Sequence, residues 1–186
     1  MILPIVAYGD PILKTKAKDI EQSYPDLTTL IENMWETMYN AKGVGLAAPQ
    51  VGRSIRLFII DASPFEEEDE KLKDFKKVFI NPQIIEQRGT EWLFNEGCLS
   101  FPDLREDIYR KPIIKINYMD ENFQQCTKEF DGLAARIIQH EYDHVEGIVL
   151  VDRISPLKRR LIRSKLNNII KGAVNPDYKM KFTRSR

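Results

Sequence analysis

"DGLAARIIQHEYDHVEG", residues 131–147, is the stretch on which both the fold and the chemistry turn. Leu133, Ile137, His140 and His144 follow one another at the spacing of a helix face. Asp131 stands where an N-cap belongs and Gly147 where such a helix stops. On that helix His140 and His144 lie one turn apart, so both imidazoles can reach a single ion. Glu141 projects beside them, within reach of a water on that ion as a proton acceptor. Leu133 and Ile137 put the ligands at the edge of an apolar surface. The chain has two histidines and both fall in this H-E-x-x-H pattern, which argues against a chance match on a solvated helix.

A catalytic divalent metal takes three protein ligands and keeps a further position open. In the extended pattern H-E-x-x-H-x-x-G-x-x-H, Gly147 matches but Leu150 holds the last place. No glutamate follows Glu146, and Glu146 itself points to another helix face. Asp152 and Asp177 remain, without a spacing that recommends either; with one of them the chain would be a zinc endopeptidase. Upstream, "NEGCLSFPDLRE" (95–106) offers Cys98, set between Gly97 and Pro102 in what reads as a constrained turn. Its thiolate would complete a Cys-His-His set suited to zinc, ferrous iron or nickel. Cys126 competes, but its alternating strand context favours a small buried residue. A structural metal module, closed by a fourth protein ligand, stands as a further alternative.

Around this helix the chain reads as α+β: short antiparallel or mixed strands around a central H-E-x-x-H helix, with a C-terminal helix. "YPDLTTLIENMWETMYNAKG" (24–43) has a helical stripe through Leu27, Leu30, Ile31, Met34 and Met38, with Asp26 as cap and Gly43 as stop. "IRLFIID" (55–61) and "VFINPQII" (78–85) read as strands. "PIIKINYMDENFQQCTKEF" (112–130) reads as a hairpin turning at Asp120, Glu121 and Asn122. "IVLVDRI" (148–154) suggests another strand, and "SPLKRRLIRSKLNNIIKG" (155–172) a terminal helix capped by Ser155. "FEEEDEKLKDFKK" (65–77) reads as a solvated insertion or mobile loop.

Lys plus Arg and Asp plus Glu both total 28, so no global charge points to nucleic acid or an anionic surface. No apolar run reaches the roughly 20 residues of a membrane helix, and the start resembles no secretory signal. A cytoplasmic protein with free thiols at Cys98 and Cys126 is expected. "AKGVGLAAPQVG" (41–52) fits G-x-G-x-x-A formally, yet a helix precedes it and Pro49 and Gly52 disfavour a helix after it. Its glycines suit either a close approach of backbone to a ligand or a tight connection.

Taken together, "GVGLAAPQ" (43–50), "EGCLS" (96–100) and "QHEYDH" (139–144) resemble the peptide deformylases in motif, order and spacing. "ILPIVAYGDPIL" (2–13) looks like the start of that family, and the resemblance spans residues 1–155, with 156–186 as the helix and basic tail of the same domain. The resemblance implies one divalent metal per chain on Cys98, His140 and His144, natively ferrous iron, with zinc or nickel also accepted. It implies that Glu141 moves the proton while an N-formyl-methionyl nascent peptide is hydrolysed to formate and a free amine. Gln50 and the Leu99 N–H would meet the oxyanion, and Gly45 would lie against the substrate backbone. An apolar pocket for methionine would draw on Val44, Leu133 and Ile137, with Arg136 either at its rim or a plain surface arginine. Arg105 and Asp143 would pair to fix the cysteine loop against the helix. The basic tail, Arg184 and Arg186 included, would either dock on ribosomal RNA or simply pack with a frayed end. No membrane partner and no sequence-specific nucleic acid is expected.

Overall fold

Leu57, Phe58, Ile59 and Ile60 are all fully buried in the computed structural model, which describes residues 1–183. A strand covered on every side chain must carry packing on both faces of its sheet, and that requirement organises the molecule. In chain order the elements are β1 (Ile5–Val6), α1 (Leu27–Asn40), β2 (Gly45–Ala47), β3 (Leu57–Asp61), β4 (Lys76–Arg88), β5 (Trp92–Cys98), β6 (Phe101–Arg110), β7 (Ile113–Met119), β8 (Gln125–Asp131), α2 (Gly132–Val145), α3 (Pro156–Leu161), α4 (Arg163–Ile170) and β9 (Met180–Lys181). The main sheet runs β2-β3-β4-β7-β8 with each neighbouring pair antiparallel. A separate hairpin joins β5 to β6, and β1 pairs with β9 in parallel. This is a mixed α+β fold, its sheets antiparallel apart from the short β1–β9 pair, with C-terminal helices.

Strand alternation then assigns the faces. Phe58, Ile60, Phe79, Ile114 and Ile116 point to α2 and meet Ala134, Ala135, Ile137, Ile138 and Val145. Leu57, Ile59, Val78 and Ile80 point the other way, onto Leu30, Met34 and Met38 of α1. A third core lies between the β5–β6 hairpin, the terminal strands and α4, through Val6, Phe101, Leu104, Ile108, Leu166 and Ile169. No helix among the described residues is long and apolar enough to cross a membrane.

Several local expectations change. Asp26 and Asp131 occupy the capping positions of α1 and α2, but neither side chain makes a capping hydrogen bond. Ser155 does cap α3, accepting from the Lys158 N–H at 3.2 Å. The terminal helix is two helices that break at Ile162. "IVLVDRI" forms a short 3-10 turn at Leu150–Asp152 rather than a strand. The 65–77 insertion keeps all its acids but Asp69 in solvent, yet Leu72 is buried and Phe65 and Phe75 pack on the core, so it is anchored and not a free loop. The tail is not frayed over its described part, because Ile5 N–H donates to Lys179 O and Ala7 N–H to Lys181 O, both at 2.9 Å. Arg184 and Arg186 lie outside the described residues.

Candidate metal centre and cleft

Cys98 ends β5, where the ladder with β6 shifts register after Gly97, and that irregularity turns its side chain toward α2. His140 and His144 project from the facing side of α2. Cys98 Sγ lies 3.3 Å from His144 Nε2. The ligand atoms of Cys98, His140 and His144 all fall within 4.8 Å of one another. Tetrahedral S and N ligands on one ion sit about 3.3–3.6 Å apart, so this set fits a single metal with little rearrangement.

Glu96, two residues before the cysteine, accepts four hydrogen bonds. Arg110 donates to it twice (Nε at 2.8 Å, Nη2 at 3.0 Å), Arg136 Nη1 at 2.9 Å, and His140 Nδ1 lies 2.9 Å from Oε2. With Nδ1 engaged by the carboxylate, His140 presents Nε2 to the ligand cluster. Burial pushes the Glu96 carboxyl up, but the His140 and Arg110 hydrogen bonds outweigh it and hold the group far below the usual carboxylate range. Burial also lowers His140, yet hydrogen bonds with Cys98 and Glu96 hold it well above the ordinary value in the metal-free protein. His144 is held well below it by burial, then by His140 and Arg110. Metal binding at such a site must release protons, because ligating imidazole is neutral and ligating sulfur is thiolate.

Glu141 is buried beside the two histidines, and its Oε2 meets no partner among the described residues. Burial pushes its carboxyl up to about 7; a dication on the neighbouring ligands would draw it back down. Gly45 explains how the carboxyl fits. A Cβ on Gly45 would stand 2.8 Å from Glu141 Cδ and nearer still to an oxygen, so only glycine leaves the carboxylate its place. Gln50 is fixed at both ends. Its Oε1 accepts from the Ala47 N–H at 2.9 Å, which turns Nε2 toward Ser100 Oγ (3.2 Å) and Cys98 Sγ (3.6 Å). None of the hydrogen bonds among the described residues uses the Leu99 N–H.

These groups line one end of a cavity of about 500 Å³. Val44, Gly45, Leu133, Ile137 and Arg136 all contribute to its wall. Arg136 is not a plain surface arginine: it is buried and bonded to Glu96, Ile108 O and Trp92 O. The expected Arg105–Asp143 pair does not form. Arg105 binds Asn95, through its side chain at 2.9 Å and its carbonyl at 2.6 Å. Asp143 binds Arg110 at 2.8 Å and Arg153 Nε at 2.9 Å. Sequence reasoning missed Glu96, Arg110, Phe65, Phe94 and Tyr178. For Arg110 the signal was available in the alternation of β6, where Leu104, Ile108 and Arg110 fall on the buried side.

The family model described as polypeptide deformylase matches residues 2–160. The peptide deformylase of Christiangramia forsetii is 60% identical over 193 aligned positions, spanning 100% of this chain and 98% of that protein. The Flavobacterium johnsoniae peptide deformylase is 54% identical with the same coverage. Among solved structures, a peptide deformylase from Legionella pneumophila superposes with a TM-score of 0.81 at 38% identity, covering 95% of this chain and 100% of that one. The enzyme from Thermotoga maritima gives 0.75 at 40% identity, covering 84% and 99%.

Proposed function

The chain belongs to the polypeptide deformylase family, and on that premise we propose which of its groups perform the reaction. The protein is a metal-dependent hydrolase that removes the N-formyl group from newly made polypeptides. The observation that carries the assignment is convergence: Cys98, His140, the unpartnered Glu141 carboxylate and Gln50 line one cavity, and the buried His144 completes the ligand cluster with Cys98 and His140.

Cys98, His140 and His144 hold one divalent ion. When bound, the ion supplies Lewis acidity, lowering the pKa of water and polarising the formyl oxygen. Glu141 takes a proton from the attacking water as oxygen adds to the formyl carbon. As the formyl C–N bond breaks, Glu141 returns that proton to the departing nitrogen, so formate and a free amine leave. Gln50 Nε2 and the Leu99 N–H donate to the oxygen that gains charge. Val44, Leu133 and Ile137 offer the apolar wall that an unbranched methionine side chain would cover, and the Arg136 stem borders it. Glu96 keeps His140 in the ligating tautomer. The soft sulfur with two imidazoles suits ferrous iron, the ion we expect natively, and admits zinc or nickel.

Formylated chains emerge from ribosomes, so we infer a cytoplasmic site of action and a docking role for the exposed Arg160, Arg163 and Lys165 on α3 and α4. Charge reversal at Arg160 and Arg163 should weaken co-sedimentation with ribosomes at low salt. Unchanged co-sedimentation would remove the docking role.

The decisive assay is formate release from a formyl-Met-Ala peptide by protein of measured metal content, alongside Glu141→Gln. Wild type should release formate, and the variant should keep its metal while losing about 10²–10⁴-fold in rate. No release by protein loaded with iron, nickel and zinc in turn would defeat the site assignment, and retained activity in Glu141→Gln would remove its proton-transfer role.

A further inference from the structure

The turn that follows the cysteine ligand is held from outside by the two ends of the chain. Leu99 and Ser100 form the turn between β5 and β6. Their two carbonyls are taken by different terminal segments. Tyr8 N–H, just after β1, donates to Ser100 O at 2.9 Å, and the Tyr178 hydroxyl, just before β9, donates to Leu99 O at 2.9 Å. β1 and β9 are themselves paired, with Ile5 beside Met180 and Val6 beside Lys181. Both carbonyls are therefore held by one small closed brace. Tyr178 is half-buried, packs in the same core cluster as Leu99, and lines the cavity.

We propose that Tyr178 is a positioning residue for deformylation, its hydroxyl holding the Leu99 carbonyl so that the Leu99 N–H stays aimed into the cleft. The inference rests on the reading of that N–H as a donor to the reacting oxygen. The hydroxyl restrains the Leu99–Ser100 peptide and, through Leu99 Cα, the adjoining Cys98–Leu99 peptide that carries the Leu99 N–H. Without that anchor Leu99 could turn about its Cα, and its N–H would lose its aim at the place where negative charge develops. The same turn carries Ser100 Oγ, to which Gln50 Nε2 donates at 3.2 Å, so both donors depend on where it sits. The adjacent Lys42–Asp177 pair is exposed on both sides and adds little restraint. The orienting contact is the hydroxyl.

Tyr178→Phe keeps the ring and removes only that hydrogen bond. In the full-length, metal-loaded enzyme acting on formyl-Met-Ala peptide, kcat per bound metal should fall about tenfold, with KM within about twofold. Misplaced groups cost up to about 100-fold, and a deleted donor about 100–1,000-fold. A loss that vanishes when rates are expressed per bound metal marks Tyr178 as a structural contact. So does a rise in KM with kcat unchanged. Either result overturns the proposal, as does a kcat within about twofold of wild type. Gln50→Ala, measured in parallel, separates this failure from that of the underlying reading. If Gln50→Ala is crippled while Tyr178→Phe is not, the positioning role alone is wrong. If Gln50→Ala is also unimpaired, the assignment of the oxyanion donors falls and the proposal with it.

Discussion

Replacing Glu96 by glutamine keeps the shape of the side chain and removes its charge, and the hydrogen bonds around it set what must follow. Oε1 accepts from Arg110 Nε and Arg136 Nη1, while Oε2 accepts from Arg110 Nη2 and faces His140 Nδ1. A glutamine has one acceptor oxygen. With that oxygen in the Oε1 place, its NH₂ faces Arg110 and His140. His140 can then bond only by accepting at Nδ1, which moves its proton to Nε2 and blocks the nitrogen turned to the ligand cluster. With the oxygen in the Oε2 place, the NH₂ confronts two guanidinium groups whose side chains are 5% and 2% exposed. Either arrangement strips a buried cation of its partner, a change that costs about 3–5 kcal/mol. At about 2–4 °C per kcal/mol for a chain of this size, 3 kcal/mol lowers the metal-free unfolding midpoint by about 6–12 °C. Losing the group that orients a ligating histidine weakens metal binding about 10–100-fold, or about 1.4–2.7 kcal/mol. Chelator competition reads the affinity, and calorimetry of the metal-free protein reads the midpoint. Asp143→Asn is the control, because it disturbs Arg110 and Arg153 without touching His140. It should lower the midpoint and leave metal affinity within about threefold. Wild-type metal affinity in Glu96→Gln would refute the tautomer argument. Equal losses in both variants would show that loosening of the hub, and not the histidine, controls the metal.

Gly45→Ala places a methyl against the Glu141 carboxylate and should lower kcat at least about tenfold while metal content stays at wild type; steady-state formate release with parallel metal analysis checks both. Cys98→Ala should abolish stoichiometric metal in the purified protein and Cys126→Ala should not, because only Cys98 joins the histidines; retention of metal by Cys98→Ala would return the third-ligand question to Asp152 or Asp177. Ile138→Ala, at a fully buried position between α2 and the main sheet, should cost about 2–5 kcal/mol in denaturant unfolding. The rate per folded molecule should change by less than about twofold, since Ile138 does not line the cavity.

Helix α2 was legible because everything that specifies it is local. Leu133, Ile137, His140 and His144 share one period, and the ligand spacing is the helical turn itself. Strands β3, β4, β7 and β8 were legible for the same reason, as branched and aromatic runs with turn residues at their ends. Cys98 needed a different kind of argument. Elimination within a two-histidine, two-cysteine chain pointed upstream, and the structure brings Cys98 to the histidines as that argument required. The support behind the ligands resisted both approaches. Glu96 reaches Arg110, Arg136 and His140 across separations of 14, 40 and 44 residues. With 28 acidic and 28 basic residues, charge alone names no partner at such range.

The misassigned Arg105 shows how that ambiguity narrows. Nothing local marks β6 as a strand, because Pro102 and the charges Asp103, Arg105, Glu106 and Asp107 disguise its period. Once it is one, parity does the sorting: Leu104, Ile108 and Arg110 face the interior, while Arg105 and Tyr109 face solvent. An arginine on the interior side of a strand must find carboxylates or carbonyls there, since it cannot shed its charge. Glu96 beside Cys98 and Asp143 on the ligand helix are the acids within its reach, and Arg110 takes both. The β1–β9 brace offers no such handle. It is two residues long on each side and joins positions 175 apart, so neither periodicity nor charge marks it. Its effect on the site passes through the carbonyls of one turn, which carry no sequence signature at all. The residues proposed to react were therefore readable from residue type, whereas the brace on Leu99 and Ser100 was readable only from backbone geometry.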